Sequence, residues 1–341
     1  DKYTIPVADD APPGEYRIEV GMYEPSTGQR LAVFADNGIC ATSHPLAAKV
    51  AIQMLEAGGN AMDAAIAGAV LLGICETQMT GIGGDCFVLL TPPGEDRVVA
   101  LNGSGRAPAG LDAAILRDKG QVAIAPYSAD AVTVPGAIDA FCRLSRDWGK
   151  LGLKAALAPA IHYAETGVPV APRVASDWAQ AVGNLSGHAR DLFLLDGAAP
   201  KAGQVFAAPG QAEVLRRIAL DGRDAFYEGE IAEDMVASLN ALGGTHTLDD
   251  FAATACEYTD PVTGGYGGFD LFEHPPNGQG ATAILALPVL LPLAFLPVSG
   301  DLPLVGWITP RGWDVALFVL LGVTGAVAHS DRYFFPAGSI I

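Results

Sequence analysis

Histidine and cysteine side chains are common sources of metal-ion and acid–base chemistry, and in this sequence they are scattered. His44, His162 and His188 have no second ligand at the spacing of a metal site. The five cysteines are Cys40, Cys75, Cys86, Cys142 and Cys256. They include no Cys-x-x-Cys pair, so neither a zinc site nor a disulfide framework is expected. The sequence therefore predicts no metal and no cofactor.

Two pairs of carboxylates and one glycine-rich turn have structural explanations. Asp249-Asp250 and Glu228/Glu230 each lie beside a predicted helix start, where acids interact favourably with the helix macrodipole. Gly81-Ile-Gly-Gly lacks the Lys-Ser/Thr and the strand–loop–helix setting of a phosphate loop, so a tight turn is expected. These groups are predicted to cap helices and to turn the chain, and not to carry out catalysis.

Just ahead of this turn, the sequence predicts two helices joined by glycines. Apolar residues recur at helical spacing after a Thr42-Ser43 cap. Gly58-Gly59 end that helix, because glycine adopts the left-handed conformation without strain. Asn60 then caps a second helix, and Asp63 stands where the acid of a capping box reaches back to the Asn60 amide. The second helix has no polar face, which predicts that it is buried.

Patterns along the rest of the middle of the chain alternate between helix and strand. Helical patterns occupy residues 45–57, 60–72, 137–148, 154–166, 211–220 and 231–242. Strand patterns occupy residues 84–91, 98–102 and 269–273. The alternation implies a mixed α/β fold.

The charge balance excludes one class of partner. The chain has 38 Asp and Glu residues against 20 Lys and Arg residues. An acidic surface repels the phosphates of nucleic acids, so no nucleic acid is expected as a partner.

Short blocks of sequence along the middle of the chain carry a family resemblance. They are Ala41-Thr-Ser-His-Pro-Leu-Ala, Gly59-Asn-Ala-Met-Asp-Ala-Ala, Gly81-Ile-Gly-Gly, Arg106-Ala-Pro, Val134-Pro-Gly, Pro159-Ala-Ile-His-Tyr-Ala-Glu-Thr-Gly, Ala225-Phe-Tyr-Glu-Gly-Glu-Ile-Ala and His274-Pro-Pro. In type and order they resemble the gamma-glutamyltransferase (gamma-glutamyltranspeptidase) family of N-terminal-nucleophile hydrolases. The resemblance covers residues 31–287 and corresponds to the large subunit. It implies an αββα sandwich, here incomplete.

The resemblance also implies a nucleophile. Family members attack with a Thr whose own α-amine, freed by chain cleavage, serves as the general base. That Thr lies in a Thr-Thr-His-type segment some tens of residues after the His274-Pro-Pro block. Neither Thr309 nor Thr324 has such a context, and Thr245-His246 lies in what matches an ordinary family loop. We therefore expect the catalytic Thr to be absent from this chain and to be carried by a small subunit.

A substrate site is implied as well. Family members bind the α-carboxylate of the glutamyl group with an Arg three residues ahead of an Ala-Pro pair, a contact that suits a guanidinium. Here the block reads Asn102-Gly-Ser-Gly-Arg-Ala-Pro, so Ser104 stands at that position and Arg106 lies two residues later. Arg106 and Ser104 are the predicted substrate-binding residues, for a small γ-glutamyl substrate such as glutathione. A surface salt bridge is the alternative role for Arg106.

The two ends of the chain do not match the family. Residues 1–30 have the turn and alternation pattern of a β-hairpin extension. Residues 288–341 are predicted as an apolar helical tail, since residues 281–298 and 315–328 contain no charge. Uncharged runs of this kind are typical of membrane spans, although three prolines weaken the first run. Buried helices of a soluble core are the alternative.

The leading functional interpretation is the large-subunit part of a gamma-glutamyltransferase-like acyl transferase or hydrolase. The alternatives are a non-catalytic membrane-associated scaffold and a chimeric sequence without activity. The compartment stays open between periplasm and cytoplasm, with membrane association through the tail as a further alternative.

Overall fold

The computed structural model describes residues 32–35, 38–118, 120–266 and 269–286. The predictions for residues 1–30 and 288–341 lie outside these residues. Within them, helices alternate with short strands, which confirms the α/β class.

The helices are α1 (Pro45–Glu56), α2 (Ala61–Cys75), α3 (Ala113–Asp118), α4 (Ala137–Trp148), α5 (Leu153–Thr166), α6 (Pro172–Ala181), α7 (His188–Phe193), α8 (Pro209–Asp221), α9 (Asp224–Tyr227), α10 (Glu230–Ala241) and α11 (Leu248–Ala252). The strands are β1 (Ala32–Ala35), β2 (Gly38–Ala41), β3 (Cys86–Leu90), β4 (Val99–Gly103), β5 (Val168–Pro169), β6 (Val205–Phe206), β7 (Glu257–Thr259), β8 (Val262–Tyr266) and β9 (Phe269–Glu273). The predicted helices and strands are all present, and their ends lie within three residues of the predicted ones.

The N-terminal cap of α1 differs from the predicted Thr42-Ser43. Pro45 is the first residue of the helix, so the cap is the residue directly before it, His44. His44 Nδ1 accepts a hydrogen bond from an amide of the first turn at 3.2 Å. The Ser43 hydroxyl instead donates to the carboxylate of Glu76 at 2.6 Å and ties the start of α1 to the end of α2.

The glycine stop and the recapped helix are confirmed. Gly58 has a φ of 88°, the left-handed conformation expected of a helix stop. The Asn60 side chain accepts from the amides of the first turn of α2, and Asp63 accepts from the Asn60 amide, which completes the capping box. The helix runs to Cys75 and not to Leu72, because its last turn is buried in the core.

Asp63 also joins α2 to the end of α4. Its carboxylate is fully buried and accepts hydrogen bonds from the amides of Lys150 and Leu151 at 3.0 and 3.1 Å. The Asn60 amide group donates to the Trp148 carbonyl oxygen at 2.7 Å. A buried carboxylate is stable only when hydrogen bonds replace its hydration, and backbone amides do so here.

The main core surrounds α2, which packs against α1 and α5, while α5 packs against α8. Side chains of α2, β4, α4 and α9 meet in this core, among them Ile66, Leu101, Ile138 and Phe226, each at most 2% exposed. The burial of α2 agrees with the absence of a polar face in its sequence.

A three-stranded antiparallel sheet in the order β3–β4–β7 lies beside the core. Helix α4 packs against one face of it. On the opposite face, β3 exposes Phe87 and Leu89, which are 42% and 40% exposed. One face of this sheet is therefore covered by a helix, while the other presents apolar side chains.

Several elements were not predicted. Helix α6 and the two-residue strands β5 and β6 enclose a small separate cluster in which the rings of Trp178 and Phe206 meet edge to face, 4.9 Å apart. Strand β7 is also too short to show a periodic pattern. Contacts far apart in the sequence stabilise such short strands.

The described residues end inside the first apolar run. Residues 280–286 are helical, and the Ile284 side chain packs over Gly264 of β8. Among the described residues, no helix combines the length and the apolar character needed to cross a membrane. The rest of both predicted runs lies outside these residues.

Candidate functional site

A pocket of about 270 Å³ opens where strand β4 ends. It is lined by Asn102, Ser104, Gly105, Arg106, Thr254, Ala255, Glu257, Pro276 and Asn277. Three segments that are far apart in the sequence meet here: the end of β4 and the turn after it, the start of β7, and the turn that follows His274. Both predicted substrate-binding residues, Ser104 and Arg106, line this pocket.

Glycines allow the turn after β4 to pack closely on a neighbouring segment. Gly105 has a φ of 70°, and a Cβ at this position would collide with the carbonyl oxygen of Val134. A Cβ at Gly136 would likewise collide with the carbonyl of Gly103. The Val134 amide donates to the Arg106 carbonyl oxygen at 2.9 Å. This packing fixes the backbone on both sides of Ser104.

The Gly81-Ile-Gly-Gly segment contributes to the same arrangement as a turn. The Gly84 carbonyl oxygen accepts hydrogen bonds from the amides of Gly136 and Ala137 at 3.1 and 3.0 Å. These amides belong to the first turn of α4, where amides lack partners within the helix. The segment thus holds the start of α4 against the end of the sheet.

Arg106 is paired across the pocket. Its Nη2 donates to Glu257 Oε1 at 2.6 Å, and the two side chains are 78% and 59% exposed. The salt bridge foreseen as the alternative role for Arg106 is present, and it lies inside the pocket. Pairing of β4 with β7 places Asn102 opposite Glu257, which explains how a residue 151 positions away reaches Arg106.

The hydrogen bonds of Ser104 go to its sequence neighbours Asn102 and Gly105. Its amide donates to Asn102 Oδ1 at 3.0 Å, and its hydroxyl makes a long bond of 3.4 Å to the Gly105 carbonyl oxygen. Asn102 Nδ2 in turn donates to Asn277 Oδ1 at 3.2 Å and links the two sides of the pocket. Sequence reasoning missed Glu257 and Asn277, since neither stands in a local pattern that signals a site.

The His274-Pro-Pro block forms the remaining wall of the pocket. His274 Nε2 lies 3.0 Å from the Leu101 carbonyl oxygen on β4. Its ring meets that of Phe87 edge to face, with centroids 4.9 Å apart. These contacts anchor the turn that carries Pro276 and Asn277 beside the sheet.

The carboxyl group of Asp85, which does not line the pocket, has a raised pKa. It stands between the glycine-rich turn and β3, and burial raises its pKa to about 6. Burial also raises the pKa of the Cys75 and Cys86 thiols to about 12, so both remain protonated at neutral pH.

The other candidates from the sequence have structural roles in the part of the chain that is described. His246 is 1% exposed, and its Nε2 lies 2.8 Å from the Val132 carbonyl oxygen, outside the pocket lining. Thr247 and Asp250 form a capping box for α11, as the sequence predicted for that helix start. Among the described residues, no cluster of His, Cys, Asp or Glu could hold a metal ion.

Comparison with known proteins identifies the family. A family model described as Gamma-glutamyltranspeptidase matches residues 47–300 of the sequence. The chain belongs to the gamma-glutamyltranspeptidase family. This confirms the resemblance drawn from the short blocks, and it places the pocket in a family of enzymes that act on acyl amides.

Relatives agree with this assignment. The chain is 34% identical over 261 residues to the glutathione hydrolase-like YwrD proenzyme of Bacillus subtilis, a match that covers 76% of this chain and 50% of the relative. The crystal structure of cephalosporin acylase from Bacillus halodurans is 40% identical, with a TM-score of 0.71, and the match covers 80% of this chain and 51% of that one. The chain therefore spans about half the length of these gamma-glutamyltranspeptidase relatives.

The fold is that of the family. The crystal structure of Helicobacter pylori gamma-glutamyltranspeptidase superimposes with a TM-score of 0.72 over 84% of this chain and 82% of that one. At 24% sequence identity this match concerns the fold alone.

Proposed function

We propose that this chain supplies the acyl-binding part of an amide hydrolase or transferase, in which the pocket at Arg106 binds a carboxylate of the acyl group. The observation that carries the proposal is the position of Arg106, in a pocket where the family-like blocks after β4 and after His274 meet. The family prefers γ-glutamyl amides such as glutathione, and the α-carboxylate of the glutamyl group is the proposed ligand.

The guanidinium of Arg106 has donors to spare for such a ligand. Its ion pair with Glu257 uses one nitrogen, Nη2, whereas a guanidinium carries five N–H donors in a planar fork. A carboxylate accepts two of these bonds side by side, which fixes the orientation of the acyl group as well as its position. Asn102 and Asn277 add amide groups to the lining of the same pocket.

The attacking group is proposed to come from a small subunit. Among the described residues, Thr245 and Thr247 flank His246, and neither of them lines the pocket. In the proposed reaction a Thr freed by cleavage attacks the amide carbonyl, its α-amine takes the proton, and an acyl-enzyme forms. Water or an amino acid then accepts the acyl group. The name of the Bacillus subtilis relative as a proenzyme supports maturation by cleavage.

The face of the β3–β4–β7 sheet opposite α4 is the proposed binding surface for that subunit. Phe87 and Leu89 are exposed there, and strand alternation puts Asn102 and Glu257 on the same face. Within the described residues, the outer edge of β3 has no partner strand. A second sheet packed on this face would bury the apolar side chains, close the pocket and complete the αββα sandwich.

A second candidate function is favoured by the 40% identity with the cephalosporin acylase. In that reading the chain acts on the acyl amide of a cephalosporin instead of a γ-glutamyl amide. The position of Arg106, two residues after the one that the family pattern gives to its arginine, is compatible with both readings.

Binding to the full chain tests the proposal. We expect L-γ-glutamyl-4-nitroanilide to bind weakly to the wild-type chain in ligand-observed NMR. Arg106→Met should weaken binding by about tenfold or more, because a charge-assisted bidentate contact is lost. Arg97→Met, which removes an exposed arginine paired with Glu95 elsewhere on the surface, is the matched control. Equal binding by wild type and Arg106→Met would contradict the proposal.

A further inference from the structure

The segment that follows α3, residues 121–127, is exposed and carries no charge. It reads Gln-Val-Ala-Ile-Ala-Pro-Tyr, and all seven residues are exposed. The side chain of Val122 lies entirely in solvent, and that of Ile124 is 42% exposed. Apolar side chains in water gain nothing from burial, so they do not hold this segment against the core.

The backbone does not hold the middle of the segment either. Within the part of the chain that the structure describes, the amides and carbonyls of Val122, Ala123 and Ile124 make no hydrogen bond. An extended peptide is bound by other proteins through these same backbone groups. A protease can therefore take up these three residues without breaking a native hydrogen bond.

A second exposed loop shows that exposure alone does not give this property. Most of residues 196–205 are exposed as well. There the Ala198 amide donates to the Leu195 carbonyl oxygen at 3.1 Å, and the Gly203 amide donates to the Val170 carbonyl oxygen at 2.9 Å. A protease would have to break such bonds before it could bind this loop, so we expect the loop to resist cleavage.

Both ends of the exposed segment are anchored to the fold. The Gln121 amide donates to the carbonyl oxygen of Leu116, a buried residue of α3, at 3.0 Å. The Tyr127 hydroxyl accepts from Asn184 Nδ2 at 3.0 Å. Ala129, two residues later, is buried in the main core. A cut between these anchors leaves each new chain end attached to the folded protein.

We propose that the bonds from Val122 to Ala125 are a cleavage site for a serine protease with a small apolar specificity pocket, and that the chain is cut there while it stays folded. Val122, Ala123 and Ile124 suit such a pocket. No Lys or Arg lies between residues 120 and 142, so a protease that requires a basic residue has no site here. Exposed loops with small residues are the usual places of proteolytic cleavage in folded proteins.

The cut is a simple hydrolysis. One water molecule is consumed, the peptide C–N bond breaks, the carbonyl carbon becomes a carboxylate, and the nitrogen becomes an amine. This cut differs from the cleavage that is proposed to free the catalytic Thr, and it does not depend on the proposed function.

Brief digestion of the full native chain with pancreatic elastase, followed by intact-mass spectrometry, tests the proposal. We expect the first cut within residues 38–286 to follow Val122, Ala123 or Ile124, and the two fragments to elute together in size-exclusion chromatography. Ala123→Pro combined with Ala125→Pro should slow this cut by about tenfold or more, because proline lacks the amide hydrogen and the backbone freedom that binding as an extended strand needs. Ala202→Pro, in the anchored loop, is the matched control and should leave the rate of this cut unchanged.

Two results would overturn the site: a first cut elsewhere within residues 38–286, or equal rates of cleavage in the wild type and the double proline variant. Fragments that separate in size-exclusion chromatography would overturn cleavage of the folded chain. Thermal unfolding before digestion checks that the prolines leave the fold intact. If they do not, Val122→Asp combined with Ile124→Asp replaces them, since these two side chains are exposed and a carboxylate does not suit an apolar pocket. This variant should also be cut more slowly than the wild type, and an equal rate would overturn the site.

Discussion

Arg223 Nε donates to Asp139 Oδ1 at 2.6 Å, in an ion pair whose Asp139 side chain is 9% exposed. The same guanidinium donates from Nη2 to the carbonyl oxygens of Ala252 and Thr254 at 3.0 and 2.5 Å. It also lies over the Tyr227 ring, 4.6 Å from the centroid. The pair therefore connects α4, the start of α9 and the segment that leads into β7 and one wall of the pocket.

Loss of Arg223 should strongly destabilise the domain. Arg223→Met would leave the Asp139 carboxylate buried beside an apolar side chain, at a cost of about 3 kcal/mol in the free energy of unfolding. Urea denaturation followed by circular dichroism measures this. Arg217→Met removes an arginine paired with exposed Glu213 and Glu230 and should cost less than about 1 kcal/mol. Similar losses of unfolding free energy in the two variants would show that the buried Arg223–Asp139 pair stabilises the domain no more than an exposed ion pair does.

The Asn60 side chain should contribute more than a helix cap alone. Asn60→Leu removes the cap of α2, which costs about 1 kcal/mol, and also the hydrogen bond to the Trp148 carbonyl, so a total of about 2 kcal/mol is expected. Asn240→Leu, near the end of α10 and exposed, serves as the control. An Asn60→Leu chain with an unchanged denaturation midpoint would speak against the capping box as a source of stability.

Asp85 should make stability depend on pH. Because burial raises its pKa from 3.8 to about 6, the folded chain holds this proton more tightly than the unfolded chain does. Its contribution to stability is therefore fully present below about pH 4 and is lost as the pH rises through about 6. Asp85→Asn should remove this slope and raise the stability at pH 7 by about 1–2 kcal/mol, with allowance for partial exposure.

The test is to measure the unfolding free energies of the wild type and of Asp85→Asn between pH 4 and pH 8. Asp96→Asn, which changes an exposed carboxylate, is the control. If Asp85→Asn keeps the wild-type dependence of unfolding free energy on pH, another group is responsible for that dependence.

The chain alone should show neither hydrolysis nor self-cleavage. We expect no release of 4-nitroaniline from L-γ-glutamyl-4-nitroanilide and no change of mass on storage, because the proposed nucleophile belongs to a small subunit. Absorbance and intact-mass measurements check the two points. Release that disappears in Thr245→Ala would contradict the assignment of the nucleophile, and Thr247→Ala distinguishes such an effect from loss of the α11 cap.

Much of the scaffold could be read from the sequence because its signals are local. The left-handed Gly58 and the Asn60–Asp63 capping box depend on backbone geometry within a few residues, so their sequence pattern predicts them. The family blocks also identified the family, and the two residues predicted from them, Ser104 and Arg106, line one pocket. The cap of α1 was misassigned, since Ser43 is engaged by Glu76, a residue 33 positions away.

The partner of Arg106 was decided by the tertiary structure. Glu257 stands 151 residues later in a strand too short to show a pattern, and its direction is set by helix α4 through Cys256 and Tyr258. Local propensity carries no information about which strands pair or which face of a helix they meet. The sequence by itself therefore determined the family, the capped helices and one side of the pocket. Long-range pairing of β4 with β7 determined that the carboxylate of Glu257 faces Arg106, because only the folded sheet brings these two strands together.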